Sequence, residues 1–301
     1  MITGKRLFTV LLVLFIFVTY LSPQEKTGTF PELKGPYLGQ KPPGMTPEKF
    51  PSESVRSFLP SKWHGVPTFS PDGMEMFWVN MGENFEIYSS KIVNGKWSEA
   101  FRPSLSENSD ENNPVCSSDG KKMYFLSFRS GGYIFEVSRT DNRWSVPVKL
   151  NIKIPESLGK GWSFSISNNK TVYLELWENR KPKVYRSTFN NNEYKKPEKV
   201  RLYSDSDNIE MAPYIDPDEK FLIFSSMLND GHGEFDLYIA FQKPDGSWTA
   251  PKNMGNKINS SGGEVSAFVS FDSKYLFFLR GADVYWVNAK IIEELKPVDM
   301  K

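Results

Sequence analysis

The chain has 301 residues, of which 39% are hydrophobic and 15% aromatic, so it contains enough apolar side chains for the core of a globular protein. Its 37 basic and 36 acidic residues nearly cancel. Because nucleic-acid binding usually requires an excess of positive charge, the composition argues against a nucleic-acid partner.

Residues 1–24 have the pattern of a targeting segment. Lys5 and Arg6 precede an apolar run, 7–21, of about the length of the hydrophobic region of a signal peptide. The run is short for a bilayer span, and TYLSPQE lacks a small-x-small cleavage site, so a cleaved signal peptide and an uncleaved N-terminal anchor both stay open. In either case we expect a periplasmic or secreted protein of the cell envelope. The single cysteine, Cys116, has no intramolecular partner, so packing must stabilise the fold.

After a predicted linker, 25–46, one pattern returns five times. Each copy has a turn followed by alternating hydrophobic residues, in the stretches TFSPDGMEMFW (68–78), VCSSDGKKMYF (115–125), FSISNNKTVYL (164–174), YIDPDEKFLIF (214–224) and FVSFDSKYLFF (268–278). The aligned turn residues are Asp72, Asp119, Asn168, Asp218 and Asp272, with spacings of 47, 49, 50 and 54 residues. This spacing is typical of a four-stranded blade of a β-propeller.

Further strands follow each turn. Aromatic and β-branched segments such as EIYSS (86–90) and DLYIA (236–240) predict a third strand. Another aromatic comes nine or ten residues after the aromatic of that strand, at Trp97, Trp144, Tyr194 and Trp248. The fifth copy lacks this residue, whereas Phe50 stands at the matching distance before the first copy. We therefore predict that the N-terminal segment supplies the outer strand of the last blade and closes the ring.

The Ser-Pro-Asp-Gly turn and the W-x-x-P outer strand resemble the WD40-like repeats of TolB-like β-propellers of the bacterial cell envelope. The stretches 106–132 and 258–278 carry the likeness best, and it covers about residues 47–289. TolB-like propellers usually have six blades, but this sequence has five copies and no sixth in 25–46. The predicted fold class is thus an all-β propeller of five four-stranded blades, followed by a C-terminal tail, 290–301.

The repeated turn itself is predicted to be structural. Pro71 fixes φ at the second position of a type I turn, Gly73 suits the fourth, and Asp72 accepts local backbone N–H bonds. A turn that every blade needs for its geometry is poor evidence for chemistry.

A candidate ligand site lies at the other end of each first strand. Counting six residues back from the start of the turn in each copy gives His64, Glu111, Lys160, Glu210 and Glu264. If the ring closes, these positions surround one mouth of the channel, and the loops after the second strands add Arg129 and Arg280. We predict a polar pocket from these seven residues. Alternatively, the three glutamates bind neighbouring backbone N–H groups or a basic partner such as Lys160.

The sequence gives less support to a metal site, a catalytic nucleophile or a phosphate-binding loop. The segment NDGHGEFD (229–236) lacks the spacing of an EF-hand, and two histidines are too few for a three-histidine zinc site. Neither a Gly-x-Ser-x-Gly nucleophile motif nor a phosphate-binding Gly-rich loop is present. We therefore predict no metal, no cofactor and no catalytic residue. Trp63, Trp162 and Trp177 are candidates for stacking on sugars or for filling the space between blades.

These observations favour an exported, non-catalytic propeller that binds an envelope protein or a cell-wall component at the channel mouth. The alternative is a carbohydrate-active enzyme that uses Glu111, Glu210 and Glu264 as general acid and as base or nucleophile. The matching places of these glutamates favour a shared structural duty, because acid and base need different environments. A third interpretation is a structural module that acts through its blade edges, with IIEELK (291–296) as a docking helix.

Overall fold

Five antiparallel β-sheets surround a central channel in the computed structural model, which describes residues 29–60, 62–105, 110–128, 131–141, 143–203, 208–228 and 231–300. Each sheet is one blade of a β-propeller, so the predicted all-β, five-bladed architecture is confirmed. The predicted leader, 1–24, lies outside the described residues.

The strands follow the chain in blade order. A 3₁₀ turn (Tyr37–Gly39), strand β1 (Glu48–Lys49) and helix α1 (Glu53–Arg56) precede the first blade. Blade 1 contains β2 (Trp63–Phe69), β3 (Glu75–Met81), β4 (Phe85–Val93) and β5 (Lys96–Trp97). Blade 2 contains β6 (Glu111–Cys116), β7 (Lys122–Ser127), β8 (Tyr133–Thr140), β9 (Arg143–Trp144) and β10 (Val148–Lys149).

Blade 3 contains β11 (Gly159–Ile166), β12 (Val172–Glu178), β13 (Lys181–Ser187) and β16 (Glu198–Lys199), with a small hairpin of β14 (Phe189–Asn190) and β15 (Glu193–Tyr194). Blade 4 contains β17 (Met211–Ile215), β18 (Phe221–Ser226), β19 (Asp236–Phe241) and β20 (Lys252–Asn253). Blade 5 contains β21 (Glu264–Val269), β22 (Tyr275–Arg280) and β23 (Asp283–Asn288). Helix α2 (Lys290–Leu295) and a 3₁₀ turn (Val298–Met300) end the described chain.

The ring closes through the N-terminal strand. β1 is the outermost strand of blade 5 and pairs antiparallel with β23, with Glu48 opposite Trp286 and Lys49 opposite Tyr285. The amide of Phe50 donates to the carbonyl of Val284 at 2.9 Å, and the buried Phe50 ring lies 5.0 Å from Trp286. The predicted N-terminal closure is therefore confirmed.

Hydrophobic side chains fill the space between neighbouring blades. The middle of β3 is buried throughout because both faces of its blade pack against another blade. The repeated outer aromatics contribute to these interfaces: Trp144 of blade 2 lies 6.2 Å from Phe77 of blade 1, and Trp248 of blade 4 lies 6.3 Å from Tyr173 of blade 3. The regular spacing of these aromatics thus reflects packing between blades.

The two ends of the chain also belong to the core. In the segment predicted to be a linker, Tyr37 and Leu38 are buried, and the amide of Tyr37 donates to the carbonyl of Gly73 at 2.9 Å. In the C-terminal tail, Ile291 and Ile292 of α2 pack on the same hydrophobic cluster. Neither segment has a repeat pattern, so this packing was not predictable from the sequence.

The repeated turns have the predicted local bonds. In blade 1 the Ser70 hydroxyl donates to the Asp72 carboxylate at 2.6 Å, which also accepts the amide of Met74. In blade 3 Asn169 accepts the Ser167 hydroxyl, because that turn is one residue shorter. Asn168, the residue aligned from sequence, instead donates to Asp218 at 2.9 Å in the next blade. The turns therefore serve the geometry of the blades. In the third turn, the residue that forms the local bond is Asn169 and not the predicted Asn168.

Substitution of Gly73 by alanine tests the packing of the N-terminal segment on the first turn. Gly73 has φ 69°, and a Cβ there would lie 2.8 Å from the Tyr37 ring. Gly95 has φ 78° and open space around its Cα, so Gly95→Ala is the matched control. We expect both variants to lose about 1 kcal/mol for the left-handed backbone, and Gly73→Ala at least about 1 kcal/mol more. Urea unfolding measures both; equal losses would contradict the packing.

Candidate functional site

The first strands of the five blades form the wall of the channel. Contacts run around the ring from β2 to β6, β11, β17, β21 and back to β2, and the cavity that they enclose has a volume of about 450 Å³. Every first strand contains an irregularity against its second strand. In three of them a non-glycine residue at the bulge has positive φ: Asn113, Ala212 and Ser266. Bulges turn residues of the first strands toward the channel.

The cavity wall is largely apolar. It is built from valine, proline, isoleucine and phenylalanine side chains of the first strands, among them Val66, Pro114, Ile166, Pro213 and Phe268. Tryptophans 63, 162 and 177 line one end of it. The cavity thus has an apolar wall and an aromatic rim, while the polar pocket predicted at this mouth stays a prediction.

The register of the first strands shows that His64 is not equivalent to Glu111 and Glu264. The amides of Met81, Phe128 and Gly281 donate to the carbonyls of Lys62, Asp110 and Gly263, which marks equivalent positions in blades 1, 2 and 5. By this register the equivalent of Glu111 and Glu264 in blade 1 is Trp63. Counting from the turn gives His64 because the bulge of β2 contains one residue more than those of β6 and β21.

His64 therefore lies one residue further along its strand and faces the cavity. Its ring centroid is 4.9 Å from that of Phe85 and 6.4 Å from that of Trp162. Burial among these rings lowers the pKa of His64, so the imidazole is neutral at physiological pH. His64 thus extends the aromatic rim.

The three predicted glutamates are buried and are not among the described residues that line the cavity. Glu264 is fully buried; its carboxylate accepts the Ser260 amide at 2.8 Å and the Arg280 Nε at 2.8 Å. Glu210 accepts the amide of Val184 in the preceding blade at 3.2 Å, and burial raises the pKa of Glu210. These bonds are of the kind expected from the structural alternative, while ligand contact by Glu111, Glu210 and Glu264 stays a prediction.

The predicted basic residues have other surroundings. Lys160 is half-buried, and its Nζ donates to the carbonyl of Gly131 at 2.6 Å. The guanidinium of Arg280 binds Glu264 and the carbonyl of Ile258. Arg129 lies outside the described residues. For these three residues, too, ligand binding stays a prediction.

Glu175 is the carboxylate found among the described lining residues, and the sequence did not single it out. It lies in the middle of β12, away from the turns and strand ends that were compared between repeats. Its Oε2 accepts the Ser163 hydroxyl at 2.9 Å and the Ala212 amide at 3.1 Å. Glu175 therefore ties the strained bulge of blade 4 to blade 3.

A set of large apolar side chains surrounds the same mouth, and we name it the apolar crown. Four members lie at the ends of the second strands of blades 1 to 4, each nine residues after the turn residue aligned from sequence, and the fifth is an exposed tryptophan of β11. The members are Met81, Phe128, Trp177, Met227 and Trp162. Met81 and Met227 are both 46% exposed and Trp162 is 50% exposed, with its ring 5.0 Å from Phe128. Apolar side chains gathered at a cavity mouth indicate an interaction surface.

In the part of the chain that the structure describes, no three His, Cys, Asp and Glu side chains are grouped so that they could hold a metal ion. Within the same ranges no helix is both long and apolar enough to cross a membrane.

The chain is similar to several solved structures in its fold. No protein-family model and no curated protein matches the chain. Similar solved structures include a protein assigned as TolB from Agrobacterium tumefaciens, with 14% identity over 71% of this chain and 68% of that one and a TM-score of 0.49. Hydrazine synthase from Kuenenia stuttgartiensis has 15% identity over 82% of both chains and a TM-score of 0.49. A gluconolactonase from Xanthomonas campestris has 12% identity over 73% and 70% and a TM-score of 0.46.

The environment of His64 predicts a pH dependence of stability. Because its pKa is lowered in the folded protein, the unfolded chain binds the proton more readily. The contribution of neutral His64 to the free energy of unfolding is then complete above its ordinary pKa of 6.5, and it is lost as the pH falls below that value. We expect wild type to lose more stability than His64→Phe between about pH 7 and pH 5 in urea unfolding. Identical pH profiles for wild type and His64→Phe would contradict the assignment.

Proposed function

We propose that this protein is an exported, non-catalytic propeller that binds an envelope protein or a cell-wall component through the apolar crown and the aromatic mouth of its channel. Export is inferred from the pattern of residues 1–24, and a periplasmic or secreted location follows from it. The observation that carries the proposal is the exposed apolar crown at the entrance of an apolar cavity.

Covering exposed apolar surface with a binding partner removes that surface from water, which lowers the free energy of the complex. Trp162 and Trp177 are rigid side chains with large apolar faces, and such residues contribute strongly to binding when they become buried. Methionine side chains such as Met81 and Met227 adapt to the shape of a partner. The crown therefore combines fixed and adaptable contacts around one opening.

The carbohydrate-active alternative has less support. Glycoside hydrolysis generally needs two carboxyl groups on either side of the scissile bond. Among the described lining residues Glu175 supplies one carboxylate, and it already accepts two hydrogen bonds from the protein. Turnover of a glycan by the purified protein, lost in Glu111→Gln, would establish the alternative.

Removal of the crown tryptophans tests the proposal. We expect the double variant Trp162→Ser and Trp177→Ser to lose about tenfold or more in affinity for partners captured from cross-linked envelope extract, because each exposed tryptophan contributes roughly 2 kcal/mol or more in a binding hot spot. The measurement is quantitative mass spectrometry of the proteins and glycans retained by each variant, followed by titration of the retained partner.

The matched control removes two exposed valines outside the crown. Val93 and Val146 are 48% and 83% exposed, so Val93→Ser with Val146→Ser loses apolar surface elsewhere on the molecule. This control should bind as wild type does. Equal retention by wild type and the tryptophan variant would contradict binding at the crown.

A further inference from the structure

Two lysines face one tyrosine beside the apolar crown. The Nζ of Lys149 lies 3.1 Å and the Nζ of Lys160 lies 3.5 Å from the ring centroid of Tyr133. The three residues come from β10, β11 and β8, so they meet at the junction of blades 2 and 3. Within the described chain neither lysine forms an ion pair with a carboxylate.

The backbone holds Lys160 in this position. Gly131 and Gly132 both have positive φ, and a Cβ at Gly132 would lie 3.5 Å from the Lys160 Cδ. The Lys160 stem thus runs along this turn, while its Nζ donates to the Gly131 carbonyl at 2.6 Å. An ammonium has three donors, so Lys160 keeps two and Lys149 adds more.

This arrangement leaves positive charge without compensation. Two ammonium groups on one ring repel each other by up to about 1 kcal/mol in water and by more where they are partly buried. The aromatic ring attracts each cation, but it cannot neutralise either charge. Because the Nζ atoms of Lys149 and Lys160 both lie within 3.5 Å of the Tyr133 ring centroid, they stand on opposite faces of the ring. An anionic oxygen group at the ring edge, beside the Tyr133 hydroxyl, would be attracted by both ammonium groups and would offset their repulsion.

The neighbouring strand connects this cluster to the crown. Lys160 pairs with Leu176 and Gly159 pairs with the crown residue Trp177 in the ladder between β11 and β12. On the other side, the Gly131 amide donates to the carbonyl of the crown residue Phe128. The cluster therefore adjoins the crown residues Phe128 and Trp177.

We propose that Lys149, Lys160 and Tyr133 form an anion-binding site that takes a carboxylate or phosphate group of the ligand held by the apolar crown. The inference rests on the proposed function for the position of the ligand, while the site itself is tested with simple anions. The ligand then has an apolar part and an adjacent negative charge.

The first test is titration of the purified protein with inorganic phosphate and, separately, with acetate, followed by calorimetry. We expect binding of at least one anion, weakened about tenfold or more in the double variant Lys149→Met and Lys160→Met, since charged hydrogen bonds are lost. Lys170→Met is the matched control, because Lys170 lies alone over the Phe189 ring at 4.6 Å. The anion that binds more tightly identifies the group as a phosphate or a carboxylate.

The ionisation of Tyr133 provides a second readout. Lys160 and Lys149 lower the pKa of Tyr133, whereas burial raises the pKa of other tyrosines such as Tyr124 and Tyr214. The first phenolate to form on raising the pH should be absent in Tyr133→Phe, and the bound anion should move it to higher pH. Equal binding by wild type and the double lysine variant, or no binding of either anion, would overturn the anion site. Either result would leave the proposed function standing if the tryptophan variant still lost its captured partner.

Discussion

The structure depends on the packing of each blade against its neighbours, and the closed ring completes this packing. A propeller blade has two apolar faces, so an unclosed ring would leave one face of blade 1 and one of blade 5 in water. Strand β1 brings the N-terminal segment onto blade 5 just before the chain enters blade 1. Phe50 lies in the resulting interface, 5.8 Å from Phe69 of blade 1 and 5.1 Å from Phe277 of blade 5.

Ring closure also determines which side chains at the mouth of the channel are available to a ligand. Inter-blade hydrogen bonds occupy the carboxylates nearest the first strands: Glu210 binds blade 3 from blade 4, and Glu175 binds blade 4 from blade 3. Groups used in this way hold the wall in place, and the surface left for a ligand consists of aromatic and methionine side chains. The lysine pair over Tyr133 adds charge at one side of that surface.

The fold was predictable because its signals are local and repeated. Turn residues such as Asp72 and outer aromatics such as Trp144 recur at regular distances, and the missing fifth aromatic indicated Phe50 as its replacement. The packing of Tyr37 on Gly73 was not predictable, because residues 29–46 carry no periodic pattern. The ligand site at the mouth stays a prediction, and the positions counted from the turns were only partly equivalent, because an extra residue in the bulge of β2 moved His64 out of register with Glu111 and Glu264. Four crown members had a signal, because Met81, Phe128, Trp177 and Met227 each stand nine residues after the turn residue aligned from sequence in blades 1 to 4.

Binding of ligands at the apolar crown is the proposal from which the others follow. Site-specific photo-cross-linking tests it most directly, with a photoreactive amino acid placed in turn at Met81, Met227 and the exposed control position Val146 in cells that make the protein. If ligands bind at the crown, Met81 of blade 1 and Met227 of blade 4 should cross-link to the same partner, and Val146 should cross-link to none. Cross-links from Val146 alone, with none from the two crown positions, would contradict it.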